Sequence, residues 1–140
     1  MEKLSCVILV DDDDTTNHIN ESLIRSLGIT DYIFTANDGV QALALLEQQV
    51  VVPSAAHPVL LLLDITMPTM DGMAFLEAYQ HLPATSRDAI RIVVLTVNMT
   101  SANLARVDDL PVAGLASKPL TVEKMDTILQ LHFQRKLADG

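Results

Sequence analysis

The stretch VLLLL, residues 59–63, decides the fold, because five apolar residues follow one another without alternation. Such a run is typical of a strand that is covered on both faces, as in a parallel sheet packed between helices. Four further β-rich runs recur along the 140-residue chain: CVILV (6–10), YIFTA (32–36), IRIVVL (90–95) and VAGLAS (112–117). The sequence therefore predicts five strands.

Segments with helical spacing lie between these runs, which begin about 20 to 32 residues apart, the repeat of a strand plus a crossover helix. The pattern predicts five strand–helix units, with the fourth helix near 101–109 and a surface loop over 50–58. The first helix is predicted to bury one apolar stripe: Ile19, Leu23, Ile24 and Leu27. The predicted helix boundaries are Gly28, a capping box of Asp38 and Gln41, and Thr121.

The charge of the chain limits its partners. Eighteen acidic and nine basic residues give a formal charge of −9. Because such a surface repels phosphate backbones and anionic headgroups, we expect neither nucleic-acid nor membrane binding. No apolar run is long enough for a signal peptide or a membrane span. The single Cys6 is interpreted as a small buried hydrophobe in a reduced, cytoplasmic protein.

Polar side chains stand at the ends of four of the five predicted strands. The carboxyl ends of parallel strands share one edge of a sheet, and ligands bind there. The groups expected at this edge are Asp11, Asp12, Asp64, Thr96 and Lys118. Three neighbouring carboxylates repel one another, by on the order of 4 kcal/mol per pair at ~4 Å and an effective dielectric of about 20, so the cluster predicts a bound divalent cation.

The chemistry of this edge favours a phosphoryl group as its ligand. All-oxygen ligation with room for water suits Mg²⁺, to which the Thr66 carbonyl would add a ligand. Mg²⁺, the Lys118 ammonium and the Thr96 hydroxyl together describe a phosphoryl-binding site. We choose Asp64 as the nucleophile that forms an acyl phosphate, because it ends the most apolar strand.

At these residues the chain resembles the receiver domain of bacterial two-component response regulators, in its stand-alone, chemotaxis-regulator-like form. The resemblance covers about residues 6–135. It rests on four segments: ILVDD (8–12), LLLLDITMPTMDG (60–72), VVLT (93–96) and SKPL (117–120). It implies a flavodoxin-like (βα)₅ fold, a three-layer α/β sandwich whose five parallel strands have the order 2-1-3-4-5.

The resemblance also implies a role for each site residue. Asp64 would accept a phosphoryl group from a phosphohistidine on a sensor histidine kinase or a histidine phosphotransfer protein. Lys118 and Thr96 would contact phosphoryl oxygens, and the Lys118–Pro119 bond would be cis. Mg²⁺ would be held by Asp11, Asp12, Asp64 and the backbone carbonyl of Thr66. Such a protein is a switch with self-catalysed phosphotransfer and slow autodephosphorylation, and not otherwise an enzyme.

Two residues depart from the family pattern. Leu115 stands where the family has a switch aromatic, three residues before the lysine, and Pro111 stands where a glycine commonly ends the fourth helix. Both changes concern the readout of the switch rather than phosphorylation. We expect residues 1–140 to form a single receiver without an output domain, acting on an unknown protein target by association.

Two other functions fit parts of the sequence. VILVDDDDT also matches the nucleophile motif of haloacid dehalogenase-like phosphatases, with Asp11 as nucleophile and Asp13 as general acid. That family's last acidic motif follows its lysine, whereas here no acidic strand end follows Lys118. A receiver-like binding module that needs no phosphate is the second alternative, which the Leu115 substitution leaves open. In the receiver interpretation Asp13 and Asp14 are solvated residues at a helix start, with Asp14 as N-cap or first-turn acid.

Overall fold

The computed structural model describes residues 3–47, 58–64, 72–81, 89–96 and 112–134. Strands and helices alternate along these residues up to the last two strands, which follow each other across residues outside the described part. The strands are β1 (Cys6–Val10), β2 (Ile33–Ala36), β3 (Val59–Asp64), β4 (Ile90–Thr96) and β5 (Gly114–Ser117). The helices are α1 (Asp14–Leu27), α2 (Gly39–Glu47), α3 (Gly72–Tyr79) and α4 (Val122–Phe133).

The five strands form one parallel sheet in the order β2-β1-β3-β4-β5, which confirms the flavodoxin-like prediction. Asp64 and Thr96 are the last residues of their strands, whereas the sequence pattern predicted them one residue beyond the strand ends. Strand β5 begins at Gly114 rather than at the predicted residue 112. The predicted helix over 101–109 lies outside the described residues, as do residues 50–57 of the predicted loop.

The two faces of the sheet are both covered, as the unbroken apolar runs predict. Every residue of β1 and β3 is buried, and β4 is buried at all positions but one. By contrast, β2 and β5 are only partly buried, because each lies at an edge of the sheet. The carboxyl ends of β1, β3 and β4 are therefore held by the best-packed part of the molecule.

The buried face of α1 differs from the predicted stripe. Ile24 is fully buried, but Ile19 is 60% exposed, so its place in the stripe was wrong. The inner positions of the helix are instead taken by Asn17 and Asn20, which are both buried. Asn17 is inside because its amide binds backbone carbonyls at the ends of two strands.

Helix ends follow their caps closely. The Asp13 side chain caps α1 by accepting from the Thr15 N–H, so Asp13 is the N-cap and Asp14 the first-turn acid. Gly28 ends the helix in the left-handed region, with φ of 65°. Thr121 caps α4 as predicted. Of the two bonds in the predicted capping box of α2, the one from the Gln41 N–H to the Asp38 side chain is present. The Gln41 side chain accepts from the Asn37 N–H instead of the Asp38 N–H.

Two predictions from composition can be compared with the described residues. Cys6 is buried, as expected, and burial raises the pKa of its thiol to about 11. None of the described helices combines the length and the apolar character that crossing a membrane requires.

Removing glycine at one left-handed helix end and introducing it at the other should change the free energy of unfolding in opposite directions. We expect Gly28→Ala to lower the free energy of unfolding by about 1 kcal/mol, because a Cβ disfavours this backbone region. The cost comes from the backbone alone, since no atom outside the two neighbouring residues lies within 4 Å of the new Cβ. Gln134→Gly should raise the free energy of unfolding by up to about 1 kcal/mol, because Gln134 already has φ of 54°. Urea denaturation measures both; changes of equal sign would contradict the prediction.

Candidate functional site

Three carboxylates meet at the carboxyl edge of the sheet. Asp11 directly follows β1, Asp64 ends the neighbouring β3, and Asp12 is the next residue after Asp11. One oxygen from each lies within 4.8 Å of the others. Asp11 and Asp64 are buried, whereas Asp12 is exposed to solvent. The structure thus brings together the three acidic residues that the strand ends predict, with one side open to water.

Asp11 is held in place from several directions. Its Oδ2 lies 2.7 Å from the Lys118 ammonium, and its Oδ1 accepts from the Asp13 N–H at 2.9 Å. Its own N–H donates to the Ala36 carbonyl at 3.0 Å. The Asn17 side-chain amide donates to the carbonyls of Asp11 at 3.0 Å and Ala36 at 3.2 Å. Both the backbone and the carboxylate of Asp11 are therefore fixed.

Lys118 supplies a positive charge next to this cluster. Its ammonium is 2.7 Å from Asp11 and 3.5 Å from Asp64. Partial burial acts to lower the pKa of Lys118, but the hydrogen bond to Asp11 and the negative charges of Asp64 and Asp11 outweigh burial and raise the pKa overall. The side chain is therefore a cation at neutral pH, shared unequally between two carboxylates.

The backbone of Lys118 is joined to Thr96. The Lys118 N–H donates to the Thr96 carbonyl at 2.8 Å, and Thr96 pairs with Ser117 in the sheet. Thr96 is buried, with 7% of its surface exposed. The Lys118–Pro119 bond is cis, as the resemblance implies. Of the remaining predicted features, the Thr66 carbonyl and Pro111 lie outside the described residues.

Asp13 caps helix α1, unlike Asp11 and Asp12, which belong to the carboxylate cluster. Its carboxylate accepts from the Thr16 hydroxyl at 2.8 Å and from the Thr15 N–H at 3.1 Å. These bonds, the Thr16 hydroxyl first, lower the pKa of Asp13. A general acid that works at neutral pH needs a raised pKa. The environment of Asp13 is therefore the opposite of what the phosphatase interpretation requires.

Two residues that contact this edge of the sheet were not predicted from the sequence. Asn17 fixes the Asp11 carbonyl, and Lys124 donates from its ammonium to the carbonyls of Ser117 and Pro119. Both bind backbone atoms, which carry no sequence pattern. The available signal for Asn17 was its spacing from Ile24, which places it on the inner face of α1.

Comparison with known proteins identifies this arrangement. The family model described as response regulator receiver domain matches residues 7–130. The chain belongs to this family. This receiver domain is 31% identical over 127 residues to the probable chemotaxis protein CheY of Rhizobium etli, with 91% of each chain covered. The predicted function class, a receiver of two-component phosphorelay signalling, is confirmed.

Solved structures agree on the fold. The two-component response regulator from Cytophaga hutchinsonii has a TM-score of 0.81 at 22% identity, covering 96% of this chain and 100% of that one. The receiver domain of the sensor histidine kinase PA1611 from Pseudomonas aeruginosa has a TM-score of 0.71 at 23% identity, covering 91% of this chain and 95% of that one. That structure has a magnesium ion coordinated in its active-site cleft.

Family membership sets the general character of the site. The receiver family consists of regulatory switches. Receiver domains bind Mg²⁺ at an acidic cluster of aspartates, and this chain has such a cluster in Asp11, Asp12 and Asp64. Carboxylate oxygens are the donors that Mg²⁺ prefers, and the exposed side of the cluster leaves room for the waters that the ion keeps.

Crowding of like charges predicts a metal-dependent stability change. We expect Asp12→Asn to raise the free energy of unfolding by about 1 kcal/mol in EDTA, because the exposed Asp12 carboxylate repels two neighbours. In saturating Mg²⁺ the wild type should be the more stable of the two proteins, since it then gains the free energy of ion binding. Urea denaturation in the two buffers measures the difference. Glu77→Gln, an equal charge change at an exposed position of α3, is the control and should show no reversal.

Proposed function

We propose that this receiver domain is phosphorylated on Asp64 by a phosphohistidine partner and signals through a changed protein-binding surface. One observation carries the proposal: the Asp64 carboxylate shares an edge of the sheet with two further carboxylates and lies 3.5 Å from the Lys118 ammonium. A nucleophile, acidic metal ligands and a fixed cation within reach of one another are the parts that phosphoryl transfer needs.

In the proposed reaction, one Asp64 carboxylate oxygen attacks the phosphorus of the donor. A P–O bond forms while the P–N bond of the phosphohistidine breaks, and its electron pair returns to the imidazole nitrogen. Asp64 thereby becomes an acyl phosphate, and the donor histidine becomes free. Lys118, held as a cation beside Asp64, pairs with a phosphoryl oxygen as negative charge develops there.

Mg²⁺ is the cofactor that fits these residues. The carboxylates of Asp11, Asp12 and Asp64 would hold it, and we assign the Thr66 carbonyl as a further ligand. When bound, the ion neutralises charge on the phosphoryl oxygens. Asp11 is suited to this role because its position is fixed by Asn17 and by the Asp13 N–H.

Thr96 is assigned to the phosphorylated state. Thr96 ends β4 and its backbone carbonyl accepts from the Lys118 N–H; its hydroxyl would donate to a second phosphoryl oxygen. In this chain the family's switch aromatic is replaced by Leu115, which lies on β5 opposite Val94. We infer that movement of Thr96 on phosphorylation acts on the segment after β4 directly, without rotation of an aromatic ring.

The partners follow from this chemistry. The donor is a sensor histidine kinase or a histidine phosphotransfer protein, and the output is association with a protein target. The net charge of −9 argues against nucleic acid as that target. The acyl phosphate is lost by slow autodephosphorylation, so the protein acts as a switch.

Acetyl phosphate provides a direct test without the partner kinase. Incubation with acetyl phosphate and Mg²⁺ should add one phosphoryl group to the wild type, measured by intact mass. Asp64→Asn should abolish this addition, because the nucleophile is gone. Asp11→Asn should slow it, through loss of a metal ligand, and Asp13→Asn should leave it close to the wild-type level, since Asp13 caps a helix.

The same experiment separates the alternatives. Label that survives in Asp64→Asn and disappears in Asp11→Asn would overturn the proposal in favour of the phosphatase. If no variant and no wild-type sample is labelled, and Mg²⁺ causes no change in stability, the binding module that needs no phosphate is the better description. EDTA in place of Mg²⁺ should prevent labelling of the wild type.

A further inference from the structure

The ammonium of Lys124 binds the backbone on both sides of Lys118. Its Nζ donates to the Ser117 carbonyl at 2.9 Å and to the Pro119 carbonyl at 2.8 Å. These carbonyls belong to the residues immediately before and after Lys118. Together with the Lys118 N–H, which donates to Thr96 at 2.8 Å, they fix the backbone of Lys118 from β4 and from α4.

Helix stability does not account for a lysine at this position. Thr121 is the N-cap of α4, so Lys124 lies in the first turn of the helix. A positive charge in the first turn is disfavoured by the helix dipole, which is positive at that end. Lysine heads normally extend into water, whereas this one donates to two carbonyls, that of Ser117 at the end of β5 and that of Pro119 just after it. Bonds from a charged donor are about twice as strong as neutral ones.

We propose that Lys124 is a positioning residue for Lys118. The Lys118 ammonium lies 2.7 Å from Asp11 and 3.5 Å from Asp64, so a shift of the backbone that carries it would change both distances. By fixing the carbonyls of Ser117 and Pro119, Lys124 keeps the Lys118 ammonium at its distances from Asp11 and Asp64. This role rests on the proposed function of Lys118 in phosphoryl transfer.

Three variants test the proposal. Lys124→Met keeps the length of the side chain but removes its charge and donors, and Lys124→Arg restores both. Lys3→Met removes an equal charge from an exposed residue that pairs with Asp31, outside the site. A cleft of about 380 Å³ borders Lys124, so the larger Arg head has space.

The first readout is hydrogen exchange at the Lys118 amide, which does not depend on phosphorylation. We expect faster exchange in Lys124→Met than in the wild type, recovery in Lys124→Arg and no change in Lys3→Met. Unchanged exchange in Lys124→Met would overturn the proposal, whatever the labelling rates.

The second readout is the rate of labelling by acetyl phosphate at saturating Mg²⁺. Lys124→Met should be slower by about tenfold, because small misplacements of a catalytic group reduce rates steeply. Calorimetry should give a Mg²⁺ affinity within about twofold of the wild type, since Lys118 is not a metal ligand. Recovery of the rate in Lys124→Arg supports positioning through the two carbonyls.

A double-mutant cycle decides whether Lys124 acts through Lys118. In a Lys118→Met background, Lys124→Met should have no further effect on labelling or on the affinity for beryllofluoride, a phosphoryl mimic. An equal loss in both backgrounds would overturn the proposal. If exchange changes as expected but the wild type is never labelled, the positioning of Lys118 stands and the proposed phosphorylation fails.

Discussion

Repulsion among the carboxylates of Asp11, Asp12 and Asp64 acts at the edge where the strands present their carboxyl ends. With oxygens within 4.8 Å, each pair repels by at least about 3.5 kcal/mol at an effective dielectric of about 20, before screening. Two features of the structure oppose this force. Lys118 contributes a cation 2.7 Å from Asp11, and the buried strands β1 and β3 hold the two inner carboxylates in place. The result is a site that is charged before any ligand arrives.

The fold and the meeting of polar side chains at one edge of the sheet could be predicted because they depend on patterns that a sequence displays. Unbroken apolar runs such as residues 59–63 identify strands covered on both faces, and parallel strands bring their carboxyl ends to one edge. Asp64 and Thr96 could therefore be assigned to that edge, although each is the last residue of its strand rather than the first beyond it. The error is one residue, and it does not change which side chains meet.

Other features could not be predicted, because they depend on backbone partners. Ile19 has the spacing of a buried residue but is exposed, since the inner face of α1 is used by Asn17 to bind carbonyls of Asp11 and Ala36. The role of Lys124 could not be predicted for the same reason, because its partners are backbone carbonyls, which every residue has. Polar residues that bind backbone at strand ends are thus the least visible part of this site in the sequence.

The exposure of Asp12 has a kinetic consequence. Asp11 and Asp64 are buried, yet the cluster that they form with Asp12 opens to water on the Asp12 side. Because Asp12 is exposed, a hydrated ion could reach this first carboxylate without displacement of any helix or strand among the described residues. Mg²⁺ gives up its waters reluctantly, so dehydration of the ion would be the slow event in loading such an open cluster. The rate of loading would then follow the ion's own exchange chemistry and its concentration in the surroundings.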